Sequence, residues 1–197
     1  MAIIVNKEEK RRNIALSCRE ILLEQGINSL TISQIAKTAG IGKGTIYEYF
    51  DNKEDIVFEI ITTFIAGHEK QLLALVTELG TTKEKLFQFF YLLFENESAR
   101  KQLKVYKEFL AISLTNEPEE MLVFSQQCKD KFTMILNQII EAGKRSGEIA
   151  KHMQISASTL ILFSTGLVVD SRLSNCDIRK EIHIFLDMLL PSDEKEI

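Results

Sequence analysis

Apolar residues recur with a helical period along nearly the whole chain, and this pattern limits the fold more than any other feature. The pattern starts near Lys7 and continues to about Leu190, and no segment within it has the character of a strand. Only 2 of the 197 residues are Pro and 9 are Gly, which argues against a turn-rich β fold. We therefore expect an all-α protein with about nine helices.

Composition and residue order exclude several classes of protein. The apolar fraction of 45% is typical of a globular chain rather than a disordered one. No apolar run approaches the ~20 residues that a membrane span requires, and the apolar stretch at the N-terminus precedes its charges, the reverse of a signal peptide. We expect a cytoplasmic protein without cofactor or metal. The cysteines and histidines are too scattered for a disulfide framework or a metal motif: Cys18, Cys128, Cys176, His68, His152 and His183.

Charge is distributed unevenly along the chain. The net charge is −4, which by itself argues against binding to nucleic acid. Residues 1–47 nevertheless carry seven basic and four acidic side chains, a balance of +3, so the other 150 residues carry −7. This asymmetry is a weak indication of a DNA-facing N-terminal region on an acidic body.

Glycines and capping residues mark the boundaries of the expected helices. The first helix covers 7–25 and ends at Gly26, a typical position for a glycine after a helix. Two short helices follow within 27–50, and Asp51 or Asn52 caps the next one. The remaining helices are expected at about 52–79, 83–94, 98–113, 118–145, 155–173 and 177–190. Of these, the helix at 83–94 is capped by Thr81 or Thr82 and is apolar almost all round.

Residues 31–50 have the spacing of a helix-turn-helix. Ala36 is small enough to lie where two steeply crossing helices come closest, and Gly40 tolerates the positive φ that the turn requires. Ile46 then points from the second helix back at the first, and Thr31 stands in the N-cap position of the pair. Helical chains produce this framework by chance fairly often, so the spacing alone is only moderately specific.

The longer string TISQIAKTAGIGKGTIYEYFDNKEDI resembles the DNA-binding signature of the TetR/AcrR family of bacterial transcriptional regulators. The resemblance covers about residues 8–67 at motif strength, and the rest of the chain matches only in length and helical character. It implies a three-helix DNA-binding domain at 8–67, with its motif at 31–50, and a larger helical domain at 68–197 for effector binding and dimerisation. The matching residues are Thr31, Ile35, Ala36, Ala39, Gly40, Lys43, Gly44, Tyr47, Tyr49, Phe50, Lys53 and Glu54.

The resemblance implies that the second helix of the motif lies in the major groove of DNA. Lys43 would then reach guanine or a phosphate, Gly44 would allow close approach, and Thr45 would meet a thymine methyl or a phosphate. Tyr47 and Tyr49 resemble family tyrosines that donate to phosphate oxygens, which fix the register on DNA without reading its sequence. A purely structural role for Tyr49, in the core, is the alternative.

Further DNA contacts are expected around this helix. Thr31 and Ser33 can contact the flanking backbone, and Lys53 can bind a phosphate or simply be solvated. Glu48 either accepts from a cytosine amino group or points away, where it is solvated or pairs with a lysine. Four basic residues near the N-terminus form either an arm in the minor groove or a charged, frayed end: Lys7, Lys10, Arg11 and Arg12.

The helical body is rich in aromatic side chains, and the family resemblance favours an apolar cavity for a small effector there. Ordinary core packing is the alternative for most of them. His68, Glu69, Glu108 and Gln127 would add polar contacts to a cavity, or lie at the surface. The candidate lining residues are Phe89, Phe90, Phe94, Tyr106, Phe109, Phe124 and Phe163.

The last two helices are the expected dimer interface, as the resemblance implies. Each has more apolar residues than one face requires, which suits a helix that packs on its own chain and on a partner. A symmetric dimer would present two recognition helices to successive major grooves, so we expect a palindromic operator. The candidate interface residues are Leu160, Phe163, Leu167, Ile182, Phe185, Leu186 and Leu189.

The sequence therefore predicts a DNA-binding transcriptional regulator, in the first place a repressor that a hydrophobic or amphipathic small molecule releases from its operator. One alternative is a DNA-binding regulator that responds to a protein partner or to nothing. A remote alternative is an all-helical enzyme, but the chain has no nucleophile–base set, and GIGKG at 40–44 lacks the full spacing of a phosphate loop.

Overall fold

The structure, a computed structural model, describes residues 2–77, 80–116, 119–173 and 177–191. All regular secondary structure in these ranges is helical, which confirms the all-α prediction. One 3₁₀ turn, Leu92–Phe94, follows the sixth helix. The α-helices are α1 Ala2–Ser17, α2 Arg19–Gln25, α3 Ile32–Ala39, α4 Lys43–Tyr47, α5 Lys53–Thr77, α6 Thr82–Tyr91, α7 Glu97–Asn116, α8 Glu119–Ser146, α9 Ala157–Leu173 and α10 Ile178–Leu189.

The first expected helix is divided into α1 and α2 at Cys18. The Ser17 hydroxyl donates to the Ile14 carbonyl at 2.7 Å, and the Cys18 amide, which would use that carbonyl in a continuous α-helix, donates to Ala15 instead. The Cys18 side chain is buried, as expected for a small apolar residue, and burial raises the pKa of its thiol. Cys176 lies outside the described residues.

Helix starts follow the capping residues that the sequence indicated. Thr31 caps α3 and Thr81 caps α6, each in a capping box with the residue three positions later. The Asn52 side chain accepts from the Asp55 amide at 2.8 Å at the start of α5. Hydrogen bonds from Thr81 lower the pKa of Glu84, since they favour its charged form. These starts are local, and the sequence determines them.

The chain forms two compact units, one of residues 1–67 with 100–122 and the other of residues 68–99 with 123–197. The boundary predicted between domains 8–67 and 68–197 coincides with the division of these units after residue 67. The assignment of the two domains stays a prediction. Most of α7 packs with the first unit, because Phe109 is buried there and meets Phe58 edge-to-face, with ring centroids 6.1 Å apart.

The core of the second unit is built around α6, α9 and α10. Phe90 is buried and meets Phe163 with centroids 5.1 Å apart, and Phe163 stacks on Phe185 at 3.7 Å. On α8, Gly143 lies so close to α6 that an added Cβ would be 2.5 Å from the Thr82 hydroxyl. Helix α6, expected to be apolar almost all round, buries three phenylalanines, Phe87, Phe89 and Phe90, and the following 3₁₀ turn buries Phe94.

Candidate nucleic-acid interface

Helices α3 and α4 are joined by a tight turn at Gly40. Its backbone is left-handed, with φ 68° and ψ 27°, and the amide of Ile41 donates to the Ala36 carbonyl at 3.0 Å. No atom lies within 4 Å of the place where a Cβ at Gly40 would stand, so the backbone conformation alone requires glycine. The turn predicted for this position is confirmed.

Helix α4 has one buried residue and an exposed outer side. Ile46 is completely buried, while Lys43, Gly44 and Glu48 are exposed and Tyr47 keeps 57% of its surface. Thr45 is half-buried. The side chains of Lys43 and Tyr47 make no hydrogen bond or ion pair with the residues that the structure describes. Cationic and phenolic donors are therefore displayed together on one short helix.

Two of the flanking candidates already have partners in the chain. The Thr31 hydroxyl donates to the Gln34 amide oxygen at 2.7 Å and accepts from the Gln34 backbone at 3.3 Å. The Lys53 ammonium donates to the Ile27 carbonyl at 3.4 Å. Ser33 is exposed. Because an ammonium has three donors, the contact of Lys53 with Ile27 leaves others for a phosphate.

Tyr49 and Phe50 have different environments. Phe50 is buried, whereas Tyr49 is only half-buried, so a role for Tyr49 wholly in the core does not fit. The Lys10 ammonium lies 5.6 Å from the centroid of the Tyr49 ring. Glu48, which ends α4, has no lysine partner among the described residues, so the predicted ion pair is absent there.

Arg11 belongs to the fold of the first unit, and both predictions for it, an arm in the minor groove and a frayed end, are wrong. Its guanidinium donates to the Tyr49 carbonyl and pairs with Glu59 at 3.3 Å. It also lies 4.4 Å from the centroid of the Phe50 ring. Arg11 therefore ties α1 to the end of the helix-turn-helix and to α5. Its partners lie 38 and 48 residues away, and no local pattern marks them.

The candidate effector residues are mostly core residues. Phe89, Phe90, Phe94 and Phe109 are buried, while Tyr106, Phe124 and Phe163 are half-buried. Tyr106 and Phe109 lie in the first unit and the others in the second. A groove of about 730 Å³ in the second unit has mixed polar and apolar walls, and none of these aromatics lines it. Its lining residues are Val76, Asp130, Thr133, Met134, Asn137, Gln138, Glu141, Ala142 and Arg145.

The polar candidates for the effector cavity are engaged in different ways. Glu69 pairs with Lys131 at 3.0 Å, and Gln127 is exposed. Glu108 does not line the groove of the second unit. It is also not a free surface residue, because its carboxylate accepts two backbone hydrogen bonds in the first unit. Burial lowers the pKa of His68, which favours the neutral imidazole.

The candidate dimer residues on α9 and α10 need correction. Leu160, Leu167, Ile182 and Leu186 are buried within their own unit, so they are not available to a partner chain. Phe163, Phe185 and Leu189 are half-buried. The apolar side chains that these helices expose belong to other residues: Leu162 at 70%, Val169 at 51%, Ile184 at 42% and Met188 at 72% of their surface.

Other chemistry is not assembled in the described parts of the chain. Burial raises the pKa of Cys128 to about 11, so its thiol stays protonated near neutral pH and is a poor nucleophile. Within the described ranges, no three His, Cys, Asp or Glu side chains come together as a metal site requires. None of the described helices combines the length and apolar character needed to cross a lipid bilayer.

Comparisons with known proteins agree with this geometry. Residues 17–60 match the model of the family described as bacterial regulatory proteins, tetR family. The chain is 27% identical to the fatty acid metabolism regulator protein of Bacillus subtilis strain 168 over 159 residues, 81% of this chain and 80% of that protein. It is 22% identical to the HTH-type transcriptional repressor KstR2 of Rhodococcus jostii strain RHA1, over 82% of this chain and 78% of that protein.

A solved structure has the same fold. The crystal structure of the transcriptional regulator FadR from Bacillus subtilis in complex with stearoyl-CoA superposes with a TM-score of 0.69 at 24% sequence identity. The match covers 91% of this chain and 97% of that one. The likeness therefore extends over both compact units and not only over the helix-turn-helix.

Proposed function

This chain belongs to the TetR/AcrR family of bacterial transcriptional regulators, and we propose that it is a dimeric repressor which a small amphipathic molecule releases from a palindromic operator. It is a DNA-binding regulator and not an enzyme. The observation that carries the proposal is the outer side of α4, where Lys43, Gly44 and Tyr47 are exposed while Ile46 anchors the helix.

The division of labour on α4 follows from the chemistry of its side chains. Lys43 and Gly44 form the first turn, the part of a recognition helix that comes nearest to base edges in the major groove. Tyr47, one turn later, donates its hydroxyl to a phosphate oxygen. Further contacts to the DNA backbone come from Thr31, Ser33, Thr45, Tyr49 and Lys53. Glu48, exposed and without a lysine partner in the described chain, either accepts from a cytosine amino group or stays solvated.

Dimerisation uses the exposed apolar side of α9 and α10. Leu162 and Val169 are seven residues apart on α9, and Ile184 and Met188 are four apart on α10, so each pair lies on one face of its helix. Gly166 is exposed between Leu162 and Val169 and lets a partner helix approach closely. A second copy of the chain that packs on this face would form a symmetric bundle of four helices.

The effector class is inferred from the relatives. The Bacillus subtilis protein is a fatty acid metabolism regulator, and the structure of FadR from the same organism holds stearoyl-CoA. A long-chain acyl-CoA is thus the first compound to test on this chain. Binding would weaken operator affinity only as far as the effector prefers the DNA-free conformation, about 5- to 150-fold for a typical coupling.

The test is selection from a random pool of double-stranded DNA at one fixed salt concentration. Wild type should enrich a palindrome, Lys43→Ala should relax one position in each half-site, and Lys151→Ala, which removes an exposed lysine outside α4, should change nothing. Stearoyl-CoA should weaken binding to the recovered site. If no sequence is enriched, the regulator proposal fails. If a palindrome is enriched but stearoyl-CoA has no effect, only the effector class is wrong.

A further inference from the structure

The turn between α2 and α3 is held by a carboxylate from a distant helix. The backbone amides of Ile27 and Asn28 donate to the two oxygens of Glu108, at 2.8 and 2.9 Å. These residues are separated from Glu108 by 81 and 80 positions in the sequence. One side chain of α7 thus binds two successive amides directly before the helix-turn-helix, in a two-pronged arrangement that fixes direction as well as distance.

Gly26 makes this approach possible. A Cβ at this position would stand 2.4 Å from the nearer Glu108 oxygen, closer than any real contact. The backbone of Gly26 also has φ 83°, which side-chain-bearing residues rarely adopt. The glycine therefore serves the end of α2 and the entry of the carboxylate together, whereas the sequence indicated only the first of these roles.

The same turn is held from other directions. The Lys53 ammonium of α5 donates to the Ile27 carbonyl at 3.4 Å. Ile27 is therefore held at both of its backbone groups, since its amide donates to Glu108. Beside Glu108, Phe109 is buried and contacts Phe58 of α5. Helix α7 is therefore fixed to α5 by an apolar contact and to the turn by a polar one.

We propose that Glu108 is the positioning residue through which α7 sets the placement of the helix-turn-helix on DNA. This inference rests on the proposed function. Hydrogen bonds weaken steeply once they lengthen or bend, so a small displacement of α7 releases both amides together. An effector that moves α7 then loosens the turn before α3 without contacting the DNA-reading helix.

The experiment compares Glu108→Ala and Glu108→Gln with Glu119→Gln, which removes an exposed carboxylate elsewhere in the same unit. Hydrogen exchange is measured at single amides, well below the unfolding temperature. Glu108→Ala should speed exchange at Ile27 and Asn28 about tenfold or more and should raise exchange along α3 and α4. Glu108→Gln, which keeps one acceptor oxygen, should give a smaller increase, and the control should match wild type.

Operator affinity is measured on the same variants with the DNA site that wild type selects. We expect Glu108→Ala to weaken it about fivefold or more, Glu108→Gln to weaken it less, and the salt dependence to stay the same because no phosphate contact is lost. Unchanged affinity, or unchanged exchange along α3 and α4, would overturn the proposal. If wild type selects no DNA, the proposed function fails, and the exchange pattern alone still decides whether Glu108 holds the turn.

Discussion

The α3–α4 pair and the α9–α10 pair differ in how far their sequences determine which side chains face outward. In α3–α4 the inward residues are the expected ones, because Ala36 and Ile46 are buried around the Gly40 turn. In α9–α10 four of the expected interface residues, such as Leu160, are buried in their own unit. In a short motif with one apolar face, that face is the one that must be buried. In helices with two apolar faces, either face can pack within the unit, and the sequence pattern does not say which one does.

The largest expected effect concerns the exposed face of α9 and α10. The double variant Leu162→Lys, Met188→Lys should dissociate the dimer and weaken operator binding about 100-fold or more, since each half-site would then be bound separately. The fold should persist, because both side chains are exposed in the single chain, at 70% and 72%. Analytical ultracentrifugation and DNA titration measure the two effects.

Leu114→Lys is the matched control, because Leu114 is 78% exposed on α7. It should leave the oligomeric state unchanged. A double variant that remains dimeric would show that the exposed face is not the interface, and the comparison between the two helix pairs would lose its basis.

The next effect separates inward from outward residues within α9. Leu160→Ala should lower the free energy of unfolding by about 2–5 kcal/mol, since it leaves a cavity in the core. Leu162→Ala, two residues away and exposed in the single chain, should change the free energy of unfolding of the monomer by about 0.5 kcal/mol or less, measured at dilutions where the proposed dimer has dissociated. Denaturant unfolding measures both, and equal costs for the two variants would contradict the orientation of α9.

A smaller effect tests the backbone of the α3–α4 turn. Gly40→Ala should cost about 1–2 kcal/mol of stability, because the residue has a left-handed backbone conformation. Gly42→Ala is its control: that residue has φ −72°, and a Cβ there would also meet no atom within 4 Å. Thermal unfolding of the two variants should differ. Identical transitions would mean that the turn adapts to alanine.

The smallest expected effect is on DNA affinity at Tyr47. Tyr47→Phe removes one hydroxyl that has no partner in the described chain, so stability should not change, while operator affinity should fall by about 0.5–1.5 kcal/mol. The loss should be equal for all DNA sequences if the hydroxyl meets a phosphate. Tyr91→Phe, on α6, should leave affinity unchanged. A sequence-dependent loss at Tyr47 would instead indicate a base contact.

The sequence by itself determined the helical class, most helix ends and the helix-turn-helix. Thr31, Asn52 and Thr81 cap helices through hydrogen bonds that reach only three residues along the chain, and Gly40 is required by its own φ. Such interactions exist in any fold that forms the helix. The sequence can therefore be read for them directly.

Tertiary structure decided the roles of Arg11 and Glu108 and the outward face of α9 and α10. Arg11 pairs with Glu59, 48 residues away, and Glu108 holds amides about 80 residues away, so nothing in the neighbouring sequence marks either contact. A helical period likewise shows that one face of a helix is apolar, but it does not show whether that face packs on the same chain or on a partner chain. The physical reason is range: local hydrogen bonds depend on a few adjacent residues, whereas long-range contacts depend on where the whole chain places its helices.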